Sequence, residues 1–111
     1  MKPPSPLGEF EHIVLLAILR LEDRAYGVTI RGELAERAGR EVAPGALYTT
    51  LDRLEDKGLV ESRLGDPTAE RGGRARRYYS VTANGLRAIA AAQRALRNLM
   101  EGLHILGDSL A

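Results

Sequence analysis

Apolar residues recur at helical spacing in four stretches of the chain and alternate with polar ones in two others. The first stretch, "LGEFEHIVLLAILRL" from Leu7 to Leu21, carries a stripe of Phe10, Ile13, Val14, Leu16, Ala17 and Leu21. Leu15, Ile18 and Leu19 widen it until the helix is apolar nearly all round. Such a helix needs cover on more than one side, which in a chain this short points to a second copy. "EDRAYG" (Glu22 to Gly27) reads as a connector with a short extended piece at Ala25 and Tyr26. A second helix starts at Val28, with Val28, Ile30, Leu34 and Ala38 as its buried side and Gly39 at the C-cap glycine position.

The third helix opens at Pro44, where a missing N–H costs nothing, behind Ala43, a weak N-cap. Leu47, Leu51 and Leu54 fall on one face at i, i+4 and i+7, and Gly58 ends the helix. The opposite face offers Gly45, Tyr48 and Thr49 near the start, Arg53 at the flank, and Asp52 and Asp56 further along. Glycine and threonine are mediocre helix formers, so that face has been chosen for something other than helix stability.

"LVESRLG" (Leu59 to Gly65) and "RARRYYSV" (Arg74 to Val81) alternate as strands do, the second with Tyr79 and Val81 on one face. The turn-rich "DPTAERGG" between them is too long for a tight hairpin. Thr82 is a good N-cap for a last helix, "ANGLRAIAAAQRALRNLMEGL". In it Leu86, Ile89, Gln93, Leu96, Met100 and Leu103 are spaced as a heptad seam with one polar member. The fold class is therefore mainly α with a small two-stranded β wing. Residues 1–81 form a winged helix-turn-helix with an N-terminal helix, and residues 82–111 a C-terminal dimerisation helix and tail. In that plan the third helix enters the major groove of double-stranded DNA.

Composition narrows the function classes. The 111 residues suit one domain, and the absence of cysteine removes a disulfide framework, a thiol nucleophile and cysteine-bound zinc. The longest apolar run, Ile13 to Leu19, is well short of the ~20 residues a membrane helix needs, so a cytoplasmic protein without a membrane partner is expected. His12 and His104 stand alone, the glycines of "RGGR" lack a P-loop lysine, and no serine lies in GxSxG. No catalytic residue, metal site or cofactor is expected.

Net charge is +1, but its distribution is uneven. Residues 61–111 hold 8 Lys and Arg against 5 Asp and Glu, and four of those arginines sit in "RGGRARR". A local basic patch on a near-neutral chain is a selective signal. Arg71, Arg74, Arg76 and Arg77 are the candidates for phosphate or minor-groove contact. On the third helix, Gly45 allows close backbone approach and Thr49 can meet a base edge or thymine methyl. Tyr48 can donate to a phosphate, or its ring can lie on the domain surface, and Arg53 can clamp a phosphate. Asp52 and Asp56 would repel DNA, so the C-terminal half of the helix should tilt out of the groove.

At these residues the chain resembles the PadR family of bacterial transcriptional regulators. "PGALYTTLDRLEDKGLVESRL" is similar to its recognition helix and first strand, "AYGVTI" to its second-helix entry, and "GGRARRYYSVTANG" to its wing and the step into the dimer helix. The likeness runs from about Leu7 to Leu103. It implies a homodimeric repressor of the short branch, with one C-terminal dimerisation helix, often released by a small-molecule effector. Phe10, Leu86, Ile89, Gln93, Leu96, Met100 and Leu103 are the expected dimer interface, and a palindromic operator the expected site. Two positions depart from the family pattern: Ala43 stands where many members have Ser, and Thr49 where many have Pro. The chain also has no Trp, so it lacks the rings with which some relatives stack flat drugs. The alternative is a winged-helix protein–protein interaction module, which would favour exposed apolar anchors over arginines set among glycines in the wing.

Overall fold

The computed structural model describes residues 7–65 and 76–103. In chain order it has α1 (Glu9–Leu21), a 3₁₀ turn (Glu22–Arg24), α2 (Gly27–Ala38), α3 (Pro44–Asp56), β1 (Val60–Leu64), β2 (Arg77–Val81) and α4 (Ala83–Met100). The helix limits follow local chemistry. The Gly8 N–H donates to the Glu11 carboxylate (3.0 Å) at the start of α1. The Tyr26 N–H donates to the Thr29 hydroxyl (3.0 Å) at the start of α2, and that hydroxyl donates in turn to the Arg24 carbonyl (2.6 Å). Ala43 gives α3 no side-chain cap, and Pro44 fills its first position. Gly39 and Gly58, both in the left-handed region, stop α2 and α3 where expected.

Val14, Leu15 and Ile18 of α1, Ile30 and Leu34 of α2, and Leu47, Leu51 and Leu54 of α3 are all at most 2% exposed. Leu59, Val60, Tyr79 and Ile89 close this core from the strands and α4. Each such aliphatic side chain contributes roughly 1.5–3 kcal/mol by leaving water. The expectation that α1 lacks cover in one copy is not met: α2, β2 and α4 all pack against it, and of its large apolar residues only Leu19 is exposed. The expected buried side of α2 also narrows. Val28 is 64% exposed and Ala38 is exposed, leaving Gly27, Ile30 and Leu34 as the buried set. Val28 and Ala38 lie off the side of α2 that packs on α1 and α3.

β1 and β2 pair antiparallel, with Val60 opposite Val81, Ser62 opposite Tyr79 and Leu64 opposite Arg77. The Tyr79 N–H also donates to the Ala25 carbonyl (2.9 Å), so the extended residue before α2 adds one rung to the sheet. Thr82 then ties α4 to the strands: its hydroxyl donates to the Gly58 carbonyl (2.7 Å) and accepts from the Gly85 N–H (3.1 Å). Gly85 is required there, since a Cβ would lie 2.3 Å from the Leu59 carbonyl oxygen.

Two expectations for α4 are corrected. Ile89, assigned to the dimer seam, is 6% exposed and packs in the core of its own chain, because the first two turns of α4 lie on the strands. The helix ends at Met100, with Gly102 at φ +83°, so Leu103 lies beyond it. From Gln93 to Leu103 every residue is exposed.

Among the described residues, one charged side chain is buried. Glu11 is 6% exposed and accepts from Lys57 Nζ at 3.1 and 2.9 Å, joining the start of α1 to the end of α3. Burial pushes its carboxyl up, but hydrogen bonds from Lys57 and the Gly8 N–H, with the charges of Lys57 and Arg53, outweigh it and hold the pKa below the ordinary 4.5. A carboxylate with a depressed folded pKa stabilises the fold above its unfolded pKa, and that contribution is lost as pH falls through the folded one. Lys57→Met should therefore cost about 1–3 kcal/mol at neutral pH, by leaving a buried carboxylate without its partner. The difference from wild type should shrink at about pH 3, where Glu11 is protonated in the unfolded chain and in the variant. Urea unfolding of both proteins at the two pH values checks this; an equal difference at both would separate the pair from the effect.

Candidate nucleic-acid interface

The leucine face of α3 is fully inside, which turns the opposite face outward. Gly45, Tyr48, Thr49 and Arg53 are all exposed, the first three on the opening two turns. Thr50, beside Thr49, is 6% exposed and belongs to the packed side. Two contacts from other elements fix the turn that aims the helix. Arg31 Nε of α2 donates to the Val42 carbonyl (2.8 Å), and Arg40 pairs with Glu9 of α1 while its guanidinium lies over the Phe10 ring. Phe10, expected at the dimer interface, is thus partly buried against its own core.

Tyr48 is 46% exposed and is both surface and contact. Its hydroxyl lies over Gly27, where a Cβ would stand 2.3 Å from that oxygen. The glycine of "AYG" lets the ring of α3 rest on the first turn of α2. Arg53 lies near enough to Glu11 for its charge to help lower that carboxyl. Asp52 and Asp56 are exposed on the later turns, so the helix runs from a neutral, open N-terminal end to an acidic C-terminal one.

The wing arginines divide. Arg77 donates to Ser62 Oγ (3.0 Å), which donates to the Glu55 carboxylate (2.8 Å), so it is anchored on the side that faces α3. Tyr79 lies on that side too; burial raises its phenol pKa, Arg77 opposes the shift, and Tyr48, Asp52 and Glu55 add to it. Arg76 instead sits over the Tyr26 ring at 4.3 Å. Arg71 and Arg74 fall outside the described residues. Arg63 was not singled out by the sequence, yet it lies 4.9 Å over the Tyr78 ring, which meets Tyr26 edge to face at 5.5 Å. No local pattern in the sequence marks Arg63, whose neighbours Ser62 and Leu64 are half-buried and exposed; its place is legible only once the register with Tyr78 is known.

On α4, Leu86 of the first turn is exposed, as are Leu96, Leu99 and Met100 of the far part, where Gln93, Leu96, Arg97, Met100 and Glu101 line an open groove. Among the described residues no cluster of His, Asp and Glu could hold a metal ion, and no helix is long and apolar enough to cross a membrane.

The model of the transcriptional regulator PadR-like family matches residues 15–91. Transcriptional regulator Rv3488 of Mycobacterium tuberculosis is 41% identical over 80 residues, which span 70% of this chain and 68% of that protein. Among solved structures, a PadR family transcriptional regulator from Eggerthella lenta DSM 2243 is 29% identical with a TM-score of 0.66, covering 88% of this chain and 85% of its own. The complex structure of hsRosR-SG is 28% identical with a TM-score of 0.73, covering 98% and 89%. The family match runs from within α1 to within α4.

Proposed function

The chain belongs to the PadR-like family of transcriptional regulators, and on that premise we propose that it is a homodimeric DNA-binding repressor acting in the cytoplasm on a palindromic operator. The observation that carries this reading is the division of α3. One face is sealed in the core, and the other holds Gly45, Tyr48 and Thr49 open to solvent at the N-terminal end, with Arg53 exposed further along. Helix N-termini carry free N–H groups and a positive dipole end, so that end accepts phosphates while short side chains approach base edges.

The wing arginines Arg71, Arg74, Arg76 and Arg77 are the proposed phosphate or minor-groove contacts, of which Arg76 and Arg77 lie within the described residues. Dimerisation falls to α4, through Leu86, Gln93, Leu96 and Met100, with Leu103 just past its end. Two half-sites read by two copies require a palindrome. Release by a small-molecule effector is carried over from the family resemblance.

Selection of genomic fragments by the purified chain tests the reading. An enriched inverted repeat is the expected result. Fragments no richer in any sequence than the starting pool would move the protein-interaction alternative to first place.

A further inference from the structure

We propose that Arg63 and Arg76 form a paired phosphate clamp on the DNA backbone next to the base pairs read by α3, with Tyr78 and Tyr26 as the positioning residues. This rests on the DNA-binding reading and adds a residue and a mechanism to it. The Arg63 guanidinium lies 4.9 Å over the Tyr78 ring, Tyr78 meets Tyr26 at 70°, and the Arg76 guanidinium lies 4.3 Å over Tyr26, so the four side chains form one continuous layer across the wing and the start of α2.

The chemistry of stacking selects the ligand. A guanidinium lying on a ring uses its flat face, and its N–H donors all point in its plane, where a phosphate or carboxylate is gripped. Among the described residues no carboxylate pairs with either arginine. Glu61 is the acidic residue on the same strand face, two residues from Arg63 and opposite Ser80.

Position selects DNA as the source of the phosphate. Tyr26 is the residue before Gly27, on which the Tyr48 hydroxyl rests. The layer and the N-terminal end of α3 therefore both border the start of α2, and on the DNA-binding reading a duplex seated on Tyr48 and Thr49 would carry its backbone past the two arginines.

The test is a salt titration of binding to a mixed-sequence DNA duplex, because phosphate contacts carry no sequence information. Arg63→Gln should lower the log–log salt slope by about one unit. Its affinity should then fall about 3.5-fold less than that of wild type between 50 and 200 mM salt, from a slope of about 0.9 per phosphate. Arg63→Lys should keep the slope but bind more weakly, since an ammonium cannot stack flat. Tyr78→Leu should also keep the slope and bind more weakly, and Tyr78→Phe should restore wild-type binding. A wild-type slope in Arg63→Gln overturns the clamp, and so does a lowered melting temperature with unchanged slope, which would make the layer a folding contact only. If Tyr78→Leu does not fold, the Gln and Lys variants of Arg63 still decide. Wild-type protein that binds no duplex overturns the DNA reading itself, a different result from a wild type that binds with Arg63→Gln unchanged.

Discussion

Leu51→Ala should lower the unfolding free energy by about 2–5 kcal/mol, while Thr49→Ala, two residues earlier on α3, should leave it within about 0.5 kcal/mol. Leu51 is 0% exposed at the centre of the contact between α3 and the other helices, so its loss opens a cavity that packed neighbours cannot fill. Thr49 is exposed and has no packing role to lose. On DNA the order reverses. Thr49→Ala should cost roughly 1–3 kcal/mol on the selected operator and little on scrambled DNA, because a base-edge contact is the specific part of binding. Arg53→Ala should weaken both DNAs alike, as a phosphate contact does. Urea unfolding gives the first pair of numbers, and titration of each variant with both duplexes at one salt concentration gives the second. Equal losses on the two DNAs for Thr49→Ala would mean that α3 positions the protein without reading sequence.

That contrast was legible in the sequence because it depends on one helix and one period. Leu47, Leu51 and Leu54 repeat at a spacing that only a helix face explains, and all three are fully buried. Glycines after α2 and α3 were equally readable, since a left-handed φ ends a helix whatever surrounds it. What failed depended on partners distant in sequence. Periodicity marked Val28 and Ala38 as apolar but could not say how wide a contact α2 makes. The same pattern that assigned Ile89 to a partner copy also suits the core of its own chain, and the strands beneath Gly85 decide between them. The wing arginines look alike as a string. They differ because strand register turns Arg77 toward Ser62 and Glu55, while Arg76 lies over the Tyr26 ring. The Glu11–Lys57 pair spans 46 positions, and no local pattern announces it.

The far half of α4 leads to the second large effect. From Gln93 to Met100 the chain holds two turns of helix with no cover from its own fold, and Leu96 and Leu99 are 55% and 76% exposed there. Helices of this length are marginal in water without tertiary packing, so an ordered α4 calls for a surface to lie against. In the proposed dimer a second copy would supply one with the same apolar spacing, and a two-fold interface uses each residue twice. Leu96→Asp then removes two buried leucines per dimer, roughly 3–6 kcal/mol at 1.5–3 kcal/mol for each, and weakens the dimer by about 10²–10⁴-fold. Sedimentation at micromolar concentration should show a dimeric wild type and a monomeric variant. Circular dichroism should show helix lost from the variant, because the exposed turns of α4 no longer have a partner. Operator affinity should fall with it, since one copy meets a single half-site, while the core, which lies before Leu96, keeps its cooperative unfolding. A monomeric wild type would refute the dimer, and with it the link between α4 and a palindromic site. A dimeric Leu96→Asp would instead move the interface away from this face of the helix.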